Sequence, residues 1–336
     1  MSENLENSPL TRKDFASDVQ VKWCPGCGDF NVLMAIQTLM PKLGKKKEDF
    51  VFISGIGCSS RFPYYMNTFG FHTIHGRAPT IATGVKAANP KLDVWMITGD
   101  GDALSIGGNH FIHAIRRNQD IKMLLFNNRI YGLTKGQFSP TSAQGLKTSS
   151  SPFGSIDYPL NPIATALSSG GSFVARTADN DPKHMADTFE AAGFHKGTSM
   201  TEILQNCVIF NDKTHDDYYG RATRQDTLIY LQNGQPLLFG KDNNKGLVFE
   251  GLNLKVIDVT EENKHLVIIH DTSSKLLAYA LSQVEFPDFP VPVGVFYQES
   301  RKTFDELLVD QIDEVRLQKG KGRLEDLFHS GTTWDV

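Results

Sequence analysis

Two short polar runs have the residue types of a site for a cation and a phosphate group. The run Gly99–Asp102 (Gly-Asp-Gly-Asp) follows one apolar segment that reads as a buried strand, and Asn127 and Asn128 follow the next. Open α/β sheets bind their ligands in the crevice outside the carboxyl ends of the strands. The glycines permit a tight turn and a close backbone approach to phosphate, while Asp100 offers a hard carboxylate oxygen to a divalent cation.

A magnesium ion bound to a diphosphate fits these groups. Asn128 can add an amide oxygen and Ile130 its backbone carbonyl, and the diphosphate can complete an octahedron. Magnesium is favoured over calcium because the diphosphate oxygens supply much of the coordination. A Gly-Asp-Gly run alone is more often an ordinary turn. With a strand before it, a helix after it and Asn-Asn after the next strand, it is the pattern of a thiamine-diphosphate site.

The four cysteines of the chain are a second group with metal-binding chemistry. Cys24 and Cys27 have the two-residue spacing that places two thiolates on one metal, and Cys58 follows a predicted strand. Cys207 lies far downstream, again just past a predicted strand, so three loops can converge at one edge of the sheet. Four thiolates suit either zinc or a [4Fe-4S] cluster, and spacing alone does not separate the two. A redox-active Cys-X-X-Cys pair and inert buried thiols are the alternatives.

Positioning these groups requires a parallel sheet, and the chain from about residue 21 has the pattern for one. Short apolar runs alternate with segments of helical spacing, which is typical of βαβ units. The predicted strands are 50–54, 92–98, 121–126, 172–176 and 199–204, and the predicted helices include 29–40, 109–117 and 182–194. The segment 127–164 is rich in Gly, Ser, Thr and Pro and is long for a connection, which favours a functional loop.

Beyond Cys207 the pattern changes to alternating apolar and polar residues around Asn-Gly and Asp-Asn-Asn turn signals, which predicts a β-rich segment. Residues 303–318 have helical spacing, with Thr303 as a candidate N-cap. We therefore predict an α/β fold with a mostly parallel sheet flanked by helices, followed by a β-rich extension and a helix. The predicted divisions are a polar N-terminal arm over 1–20, an α/β domain over 21–210 and an extension with subunit contacts over 211–336.

Composition and charge narrow the function classes. The 336 residues are 40% hydrophobic and 21% charged, which is ordinary for a globular protein of about two domains. Thirty-four Lys and Arg against 38 Asp and Glu give a net charge of −4, so no basic excess exists for nucleic-acid binding. No apolar run approaches the ~18 residues that cross a bilayer, and the N-terminus lacks the apolar core of a signal peptide. We expect a cytoplasmic protein with reduced thiols and no membrane partner.

Four ordered motifs resemble the β subunit of the 2-oxoacid:ferredoxin oxidoreductases. They are VKWCPGCGDF, GIGCSS with HGRAPTIATG behind it, ITGDGDALSIGGNH and NNRIYGLTKGQFSPTS. The resemblance covers about residues 21–210 in order and spacing, continues more loosely to the C-terminus, and is closest in type to 2-oxoglutarate:ferredoxin oxidoreductase. It implies a thiamine-diphosphate-binding fold. It also implies reversible oxidative decarboxylation of 2-oxoglutarate with coenzyme A to succinyl-CoA, CO2 and reduced ferredoxin.

The resemblance further implies roles for individual residues. A single [4Fe-4S] cluster near the thiamine is assigned to Cys24, Cys27, Cys58 and Cys207. The magnesium ligands are Asp100, Asn128 and the carbonyl of Ile130. The residues expected around the thiamine diphosphate are Gly99, Asp100, Gly101, Asp102, His75, Cys58, Asn128 and Thr134. Two of these, Gly101 and Asp102, would present backbone N–H groups at a helix N-terminus, where a diphosphate gains from the helix dipole.

Arg61 and Leu133 bear on the choice of substrate. A 2-oxoacid with a second carboxylate needs a cation, and Arg61, three residues past Cys58, can offer a bidentate guanidinium. A surface or helix-capping role is the alternative for this arginine. Leu133 stands where the pyruvate enzymes resemble one another in carrying Asn, which favours a larger substrate. We therefore expect 2-oxoglutarate, with pyruvate or a broad range of 2-oxoacids as the alternative.

One catalytic group has no candidate in this chain. Thiamine enzymes need a carboxylate at N1′ of the aminopyrimidine, and no Glu here has a context that assigns it this role. In two-subunit members of the family that glutamate comes from the α subunit, so the resemblance implies an obligate αβ pair, doubled into α2β2. A non-redox thiamine decarboxylase or synthase, which leaves the cysteines without a role, and a non-catalytic subunit with a structural zinc are the rival functions.

Overall fold

The apolar runs of the sequence form a mostly parallel sheet with helices on both faces, as predicted. The computed structural model describes residues 10–332 and 334. Its strands are β1 (Phe50–Ser54), β2 (Phe69–His72), β3 (Asp93–Gly99), β4 (Ile121–Asn127), β5 (Phe173–Ala178), β6 (Ser199–Leu204), β7 (Leu228–Leu231), β8 (Leu238–Phe239), β9 (Lys245–Glu250), β10 (Asn253–Asp258) and β11 (Val291–Gln298). Its α-helices are α1 (Asp29–Leu39), α2 (Ala78–Ala88), α3 (Gly108–Arg117), α4 (Pro162–Ser168), α5 (Pro182–Phe194), α6 (Asp216–Tyr219), α7 (Arg224–Thr227), α8 (Lys275–Ser282), α9 (Phe304–Lys319) and α10 (Leu324–Phe328).

The strand order brings the predicted site residues to one edge of the sheet. Within the described residues, a sheet of eight strands has the order β2-β1-β3-β4-β6-β5-β11-β7, and only the β5–β11 pair is antiparallel. Gly99 at the end of β3 pairs with Phe126 of β4, and Asn127 at the end of β4 pairs with Leu204 of β6. The carboxyl ends of these three strands are therefore level, and the polar runs that follow them lie side by side.

Alternating side chains of the central strands fill a core on each face of the sheet. Phe50 and Phe52 of β1 are fully buried and belong to the core that includes α1 and α5. Val51 and Ile53, which alternate with them, are buried in the core on the opposite face with α2 and α3. Strands covered on both faces are apolar at nearly every position, which explains why the sequence pattern identified them.

The segment 211–336 is divided between two sheets. Its strands β7 and β11 join the large sheet, while β8, β9 and β10 form an antiparallel three-stranded sheet, which is the predicted β-rich part. The predicted C-terminal helix is α9, and Thr303 is its N-cap, since its hydroxyl accepts a hydrogen bond from the backbone N–H of Glu306. The division of the chain at residue 210 remains a prediction.

The ends of the chain add two observations. Residues 1–9 of the predicted polar arm lie outside the described residues. Arg12–Phe15 forms a 3-10 turn, and the buried ring of Phe15 packs edge-on against Phe50, with the ring centroids 5.7 Å apart. In the described part of the chain, no helix has both the length and the apolar character to cross a membrane.

Candidate active site

Asp100 directly follows β3, and its buried carboxylate is hydrogen-bonded through one of its two oxygens. Its side chain is 2% exposed, and Oδ2 accepts hydrogen bonds from the hydroxyls of Ser139 and Thr141, at 2.6 Å for Thr141. Burial raises the pKa of Asp100 to about 6 because the charged form loses its contact with water. In the described residues, no Lys, Arg or His forms an ion pair with this carboxylate. A divalent cation would balance its charge.

Gly101 is a glycine because an aromatic ring covers it. Its backbone is right-handed helical, with φ −65° and ψ −36°, so no left-handed conformation requires the glycine. A Cβ at this position would lie 2.2 Å from Cε1 of Tyr131, and the Tyr131 hydroxyl donates to the carbonyl oxygen of Gly101 at 3.0 Å. The missing side chain therefore admits the tyrosine ring, a role that the sequence pattern did not indicate.

The Asp102 side chain is hydrogen-bonded to the loops that follow β1 and β2. Its Oδ1 accepts hydrogen bonds from the backbone N–H groups of Ile56, at 3.1 Å, and Gly76, at 2.8 Å. Nδ1 of His75 lies 2.5 Å from the same oxygen, and Oδ2 accepts a hydrogen bond from the Thr98 hydroxyl at 2.7 Å. The carboxylate is thus satisfied within the protein, and it places the partly exposed ring of His75 beside the Gly-Asp-Gly turn.

The two asparagines after β4 have different surroundings. The Asn127 amide is internal, since it donates to Oε1 of Glu202 at 2.7 Å and its Oδ1 lies 2.8 Å from the hydroxyl oxygen of Thr141. Asn128 instead lines a cavity, and the backbone N–H of Ile130 donates to its Oδ1 at 3.3 Å. Of the pair, Asn128 is the one whose side chain reaches an open space.

That cavity brings the four cysteines together. They come from three loops, before α1, after β1 and after β6, and all four are free thiols that line one cavity of about 220 Å³. A Cβ on Gly132 would lie 3.6 Å from Sγ of Cys58 and 3.7 Å from Sγ of Cys207, which are ordinary contact distances, so Gly132 lies next to both sulfurs. Among the described residues, no three His, Cys, Asp or Glu side chains are placed as ligands of a single metal ion. The thiols surround a space instead.

The electrostatics of the cavity disfavour thiolates in the absence of a cation. Burial and then the nearby carboxylate of Asp29 raise the pKa of Cys27, and the same two causes raise that of Cys58 to about 12. Asp29 is itself 2% exposed, and burial together with Asp179 raises its pKa to about 7. Thiolates at Cys27 and Cys58 therefore require a compensating positive charge, which iron or zinc ions supply.

Comparison with known proteins gives a match that covers both the Gly-Asp-Gly turn and the thiol cavity. The family model described as "Thiamine pyrophosphate enzyme, C-terminal TPP binding domain" matches residues 55–203. The 2-oxoglutarate oxidoreductase subunit KorB of Mycobacterium tuberculosis is 46% identical over 335 residues, which cover 98% of this chain and 90% of that protein. The 2-oxoacid:ferredoxin oxidoreductase subunit beta of Saccharolobus solfataricus is 47% identical over 292 residues, 86% of each chain. This chain belongs to the family of 2-oxoacid:ferredoxin oxidoreductase β subunits.

A solved structure extends the match to the fold of this β subunit. A chain of the 2-oxoglutarate:ferredoxin oxidoreductase from Magnetococcus marinus, solved with 2-oxoglutarate, coenzyme A and succinyl-CoA bound, superposes with a TM-score of 0.78 and 31% identity. The match covers 98% of both chains. The expected family and the thiamine-diphosphate-binding fold are confirmed.

The two residues expected to select the substrate share one cavity of this β subunit, and Thr134, which was expected at the cofactor, lies outside its wall. Arg61 and Leu133 line the thiol cavity, and the buried Nε of Arg61 has no hydrogen-bond partner among the described residues. Leu133 is 53% exposed. Thr134 lies in an exposed turn, where its hydroxyl is hydrogen-bonded to Gln137, and it is not part of the cavity wall.

Four residues of the site were not identified from sequence. Ser139 and Thr141 hold Asp100, Asp29 lies against the thiols, and Gln205 lies between Asn128 and Cys27. The two hydroxyls lie in the long polar loop and in the motif NNRIYGLTKGQFSPTS, and both of these were available as signals. Asp29 and Gln205 each lie two residues from a cysteine, which is the signal that could have identified them.

Proposed function

We propose that this protein is the β subunit of an enzyme that converts 2-oxoglutarate and coenzyme A to succinyl-CoA and CO2 and reduces ferredoxin. The observation that carries the proposal is that the four cysteines and Asn128 line one cavity. A redox cluster in that cavity would adjoin the cofactor edge of the sheet. Each turnover releases two electrons, and a [4Fe-4S] cluster passes them on singly. Relatives named for 2-oxoglutarate, and the solved neighbour with that acid bound, support the substrate.

The residues at the carboxyl ends of β3 and β4 fit thiamine diphosphate and magnesium. Asp100, Asn128 and the carbonyl of Ile130 would hold the ion. Since Ser139 and Thr141 both donate to Oδ2 of Asp100, its Oδ1 is the oxygen left for the cation. Gly99, Gly101, Asp102 and His75 would border the diphosphate, with Cys58 nearby and Thr134 at the entrance. When bound, thiamine diphosphate supplies the carbanion chemistry.

The thiol cavity fits a cluster better than zinc. Structural zinc requires four ligand atoms about 2.0–2.3 Å from one point. A [4Fe-4S] cluster fills a volume and takes one thiolate at each iron. The cavity of about 220 Å³, with thiols from three loops around it, corresponds to the second arrangement. We therefore assign Cys24, Cys27, Cys58 and Cys207 to one [4Fe-4S] cluster.

The described part of this chain supports dependence on an α subunit. Its buried glutamate is Glu202, which forms a 2.7 Å ion pair with Arg176 and accepts a hydrogen bond from Asn127. Glu202 is therefore engaged within the sheet and is not available to the N1′ position of thiamine. The α subunit would supply that carboxylate, and the active assembly would be α2β2. The β chain purified alone is then expected to show no turnover, and full turnover without a partner would contradict this assignment.

Substrate choice can be tested at Arg61. We propose that its guanidinium binds the distal carboxylate of 2-oxoglutarate, which pyruvate lacks. Loss of a charge-assisted hydrogen bond costs about 1.5–3 kcal/mol, so Arg61→Met should lower kcat/KM for 2-oxoglutarate roughly 10- to 150-fold and leave pyruvate kinetics unchanged. The assay follows anaerobic reduction of ferredoxin by the αβ enzyme with each acid and coenzyme A.

The matched control is Arg116→Met, because Arg116 is exposed at the end of α3, away from the cavity. It should leave both substrates unaffected. Equal wild-type rates with 2-oxoglutarate and pyruvate would contradict the proposed substrate. An equal loss for both acids in Arg61→Met would contradict the role of Arg61.

A further inference from the structure

The Gln205 side chain touches both halves of the site. Gln205 directly follows β6 and is 1% exposed. Its Oε1 accepts a hydrogen bond from Nδ2 of Asn128 at 2.8 Å, and its Nε2 lies 3.4 Å from Sγ of Cys27. One amide group thus connects the asparagine assigned to magnesium with a thiol assigned to the cluster.

The hydrogen-bond network determines which way this amide faces. Nε2 also donates to the backbone carbonyl of Asn206 at 2.6 Å, so its two neighbours, a carbonyl oxygen and a sulfur, are both acceptors. The nitrogen must face them, and the oxygen must face Asn128. Asn128 then has to present its own nitrogen to Gln205, which leaves Oδ1 on the side of Ile130. The orientation of Gln205 therefore determines that the atom of Asn128 beside Ile130 is its oxygen, the atom type that a magnesium ion binds.

The backbone around Gln205 keeps this side chain in place. Its N–H donates to the carbonyl of Asn127 at 3.1 Å, which continues the pairing of β4 with β6 beyond Leu204. A Cβ on Gly28 would lie 3.0 Å from Cγ of Gln205, so the turn beside Cys27 packs directly on the glutamine stem. The amide is held by β6 on one side and by the cysteine loop on the other.

We propose that Gln205 is a positioning residue that couples the magnesium–diphosphate site to the cluster. Its carbonyl orients Asn128, and its N–H group donates to the Cys27 sulfur. A donor to a ligand sulfur stabilises the reduced, more negatively charged cluster and so raises its reduction potential. The inference rests on the proposed function, because it requires a cluster at the four thiols.

The test uses Gln205→Met in the αβ enzyme, which removes the donor and the acceptor at nearly constant volume. The cluster potential is measured by an anaerobic redox titration followed by EPR. The dissociation constant of thiamine diphosphate with Mg²⁺ is measured on cofactor-depleted enzyme. We expect a more negative potential and a roughly 10- to 100-fold weaker affinity for the cofactor, the usual range for the loss of a residue that supports a metal ligand.

Gln119→Met is the matched control. Gln119 is also 1% exposed and its Nε2 also makes a partly buried hydrogen bond, to the carbonyl of Thr83 at 3.2 Å, and none of its side-chain hydrogen bonds among the described residues reaches either half of the site. It should change neither quantity. If the cluster potential and the cofactor affinity are both unchanged in Gln205→Met, or if only one of them changes, the proposed coupling is overturned.

A second variant tests the proposal if Gln205→Met does not assemble its cluster. Gln205→Asn keeps a neutral amide on a stem one methylene shorter, which withdraws its N–H group from the Cys27 sulfur without adding a charge. A more negative potential supports the proposal, and an unchanged one overturns it. Wild-type enzyme that contains zinc and no sulfide would refute the proposed function itself, before any variant is compared.

Discussion

Gly101→Ala should destabilise the enzyme through one defined clash. The added Cβ would lie 2.2, 2.5 and 2.7 Å from Cε1, Cζ and Cδ1 of Tyr131. Carbon atoms pack favourably at about 3.5–4.0 Å, so the ring has to move by about 1 Å or more. That movement also breaks the 3.0 Å hydrogen bond from the Tyr131 hydroxyl to the Gly101 carbonyl.

The magnitude follows from these two losses. Overpacking of a tightly filled site costs about 1–3 kcal/mol, and a net hydrogen bond contributes about 1 kcal/mol. The sum, about 2–4 kcal/mol, corresponds to a melting temperature lowered by roughly 3–6 °C for a chain of 336 residues. Because Asp100 directly precedes the displaced turn, the affinity for thiamine diphosphate should fall as well.

The assay is thermal unfolding of the αβ enzyme with and without thiamine diphosphate and Mg²⁺. Gly84→Ala is the control, since Gly84 is exposed within α2 and a Cβ there meets no atom within 4 Å. Alanine within a helix should stabilise by up to about 1 kcal/mol. In a Tyr131→Ala background, Gly101→Ala should cost much less. A full cost in that background, or a neutral Gly101→Ala, would refute the steric reasoning.

Three further outcomes are expected. Burial, and then Lys122, lowers the pKa of His195 from 6.5 to about 4, so between pH 6.5 and 4 the unfolded chain binds a proton that the folded chain does not. Urea titrations should show up to about 3 kcal/mol of stability lost as the pH falls through this window, and a smaller loss in His195→Gln. Asp120→Asn should cost about 3–5 kcal/mol in the same assay, because the buried Lys86 and Lys122 lose their carboxylate, 3.3 and 2.7 Å away. EDTA should release thiamine diphosphate from the wild-type enzyme, as measured by equilibrium dialysis. It should cause no further loss of thiamine diphosphate binding in Asp100→Ala.

Five strands of the large sheet, β1, β3, β4, β5 and β6, could be predicted from sequence, while β2 at one edge and β11 inside the sheet were not identified. β1 has the predicted bounds because both of its faces are covered, which makes four of its five residues apolar. β6 also has the predicted bounds and is buried throughout, although Ser199, Thr201 and Glu202 are polar. β2 is a short edge strand whose four residues are all exposed, so no apolar run marks it. The helix α2 begins inside the motif HGRAPTIATG and ends at Ala88, in a region where the resemblance was recognised but no helix was predicted.

The parts of the site that lie on strand ends were predictable, and their supporting contacts were not. Asp100 and Asn128 follow adjacent strands, so parallel pairing alone brings them to one edge. The hydroxyls of Ser139 and Thr141 reach Asp100 from a loop 39 and 41 residues further along the chain. A loop rich in Ser and Thr offers many such hydroxyls, and only tertiary packing selects these two. The role of Thr134 at the cofactor stays a prediction.

The central claim is that the four cysteines hold a [4Fe-4S] cluster beside the thiamine site. Metal and sulfide analysis of anaerobically purified αβ enzyme, with Cys207→Ala compared against wild type, tests this claim most directly. The expected result is about four iron and four sulfide per β chain, reducible by one electron, lost in the variant. Stoichiometric zinc without sulfide, or iron and sulfide unchanged in Cys207→Ala, would contradict it.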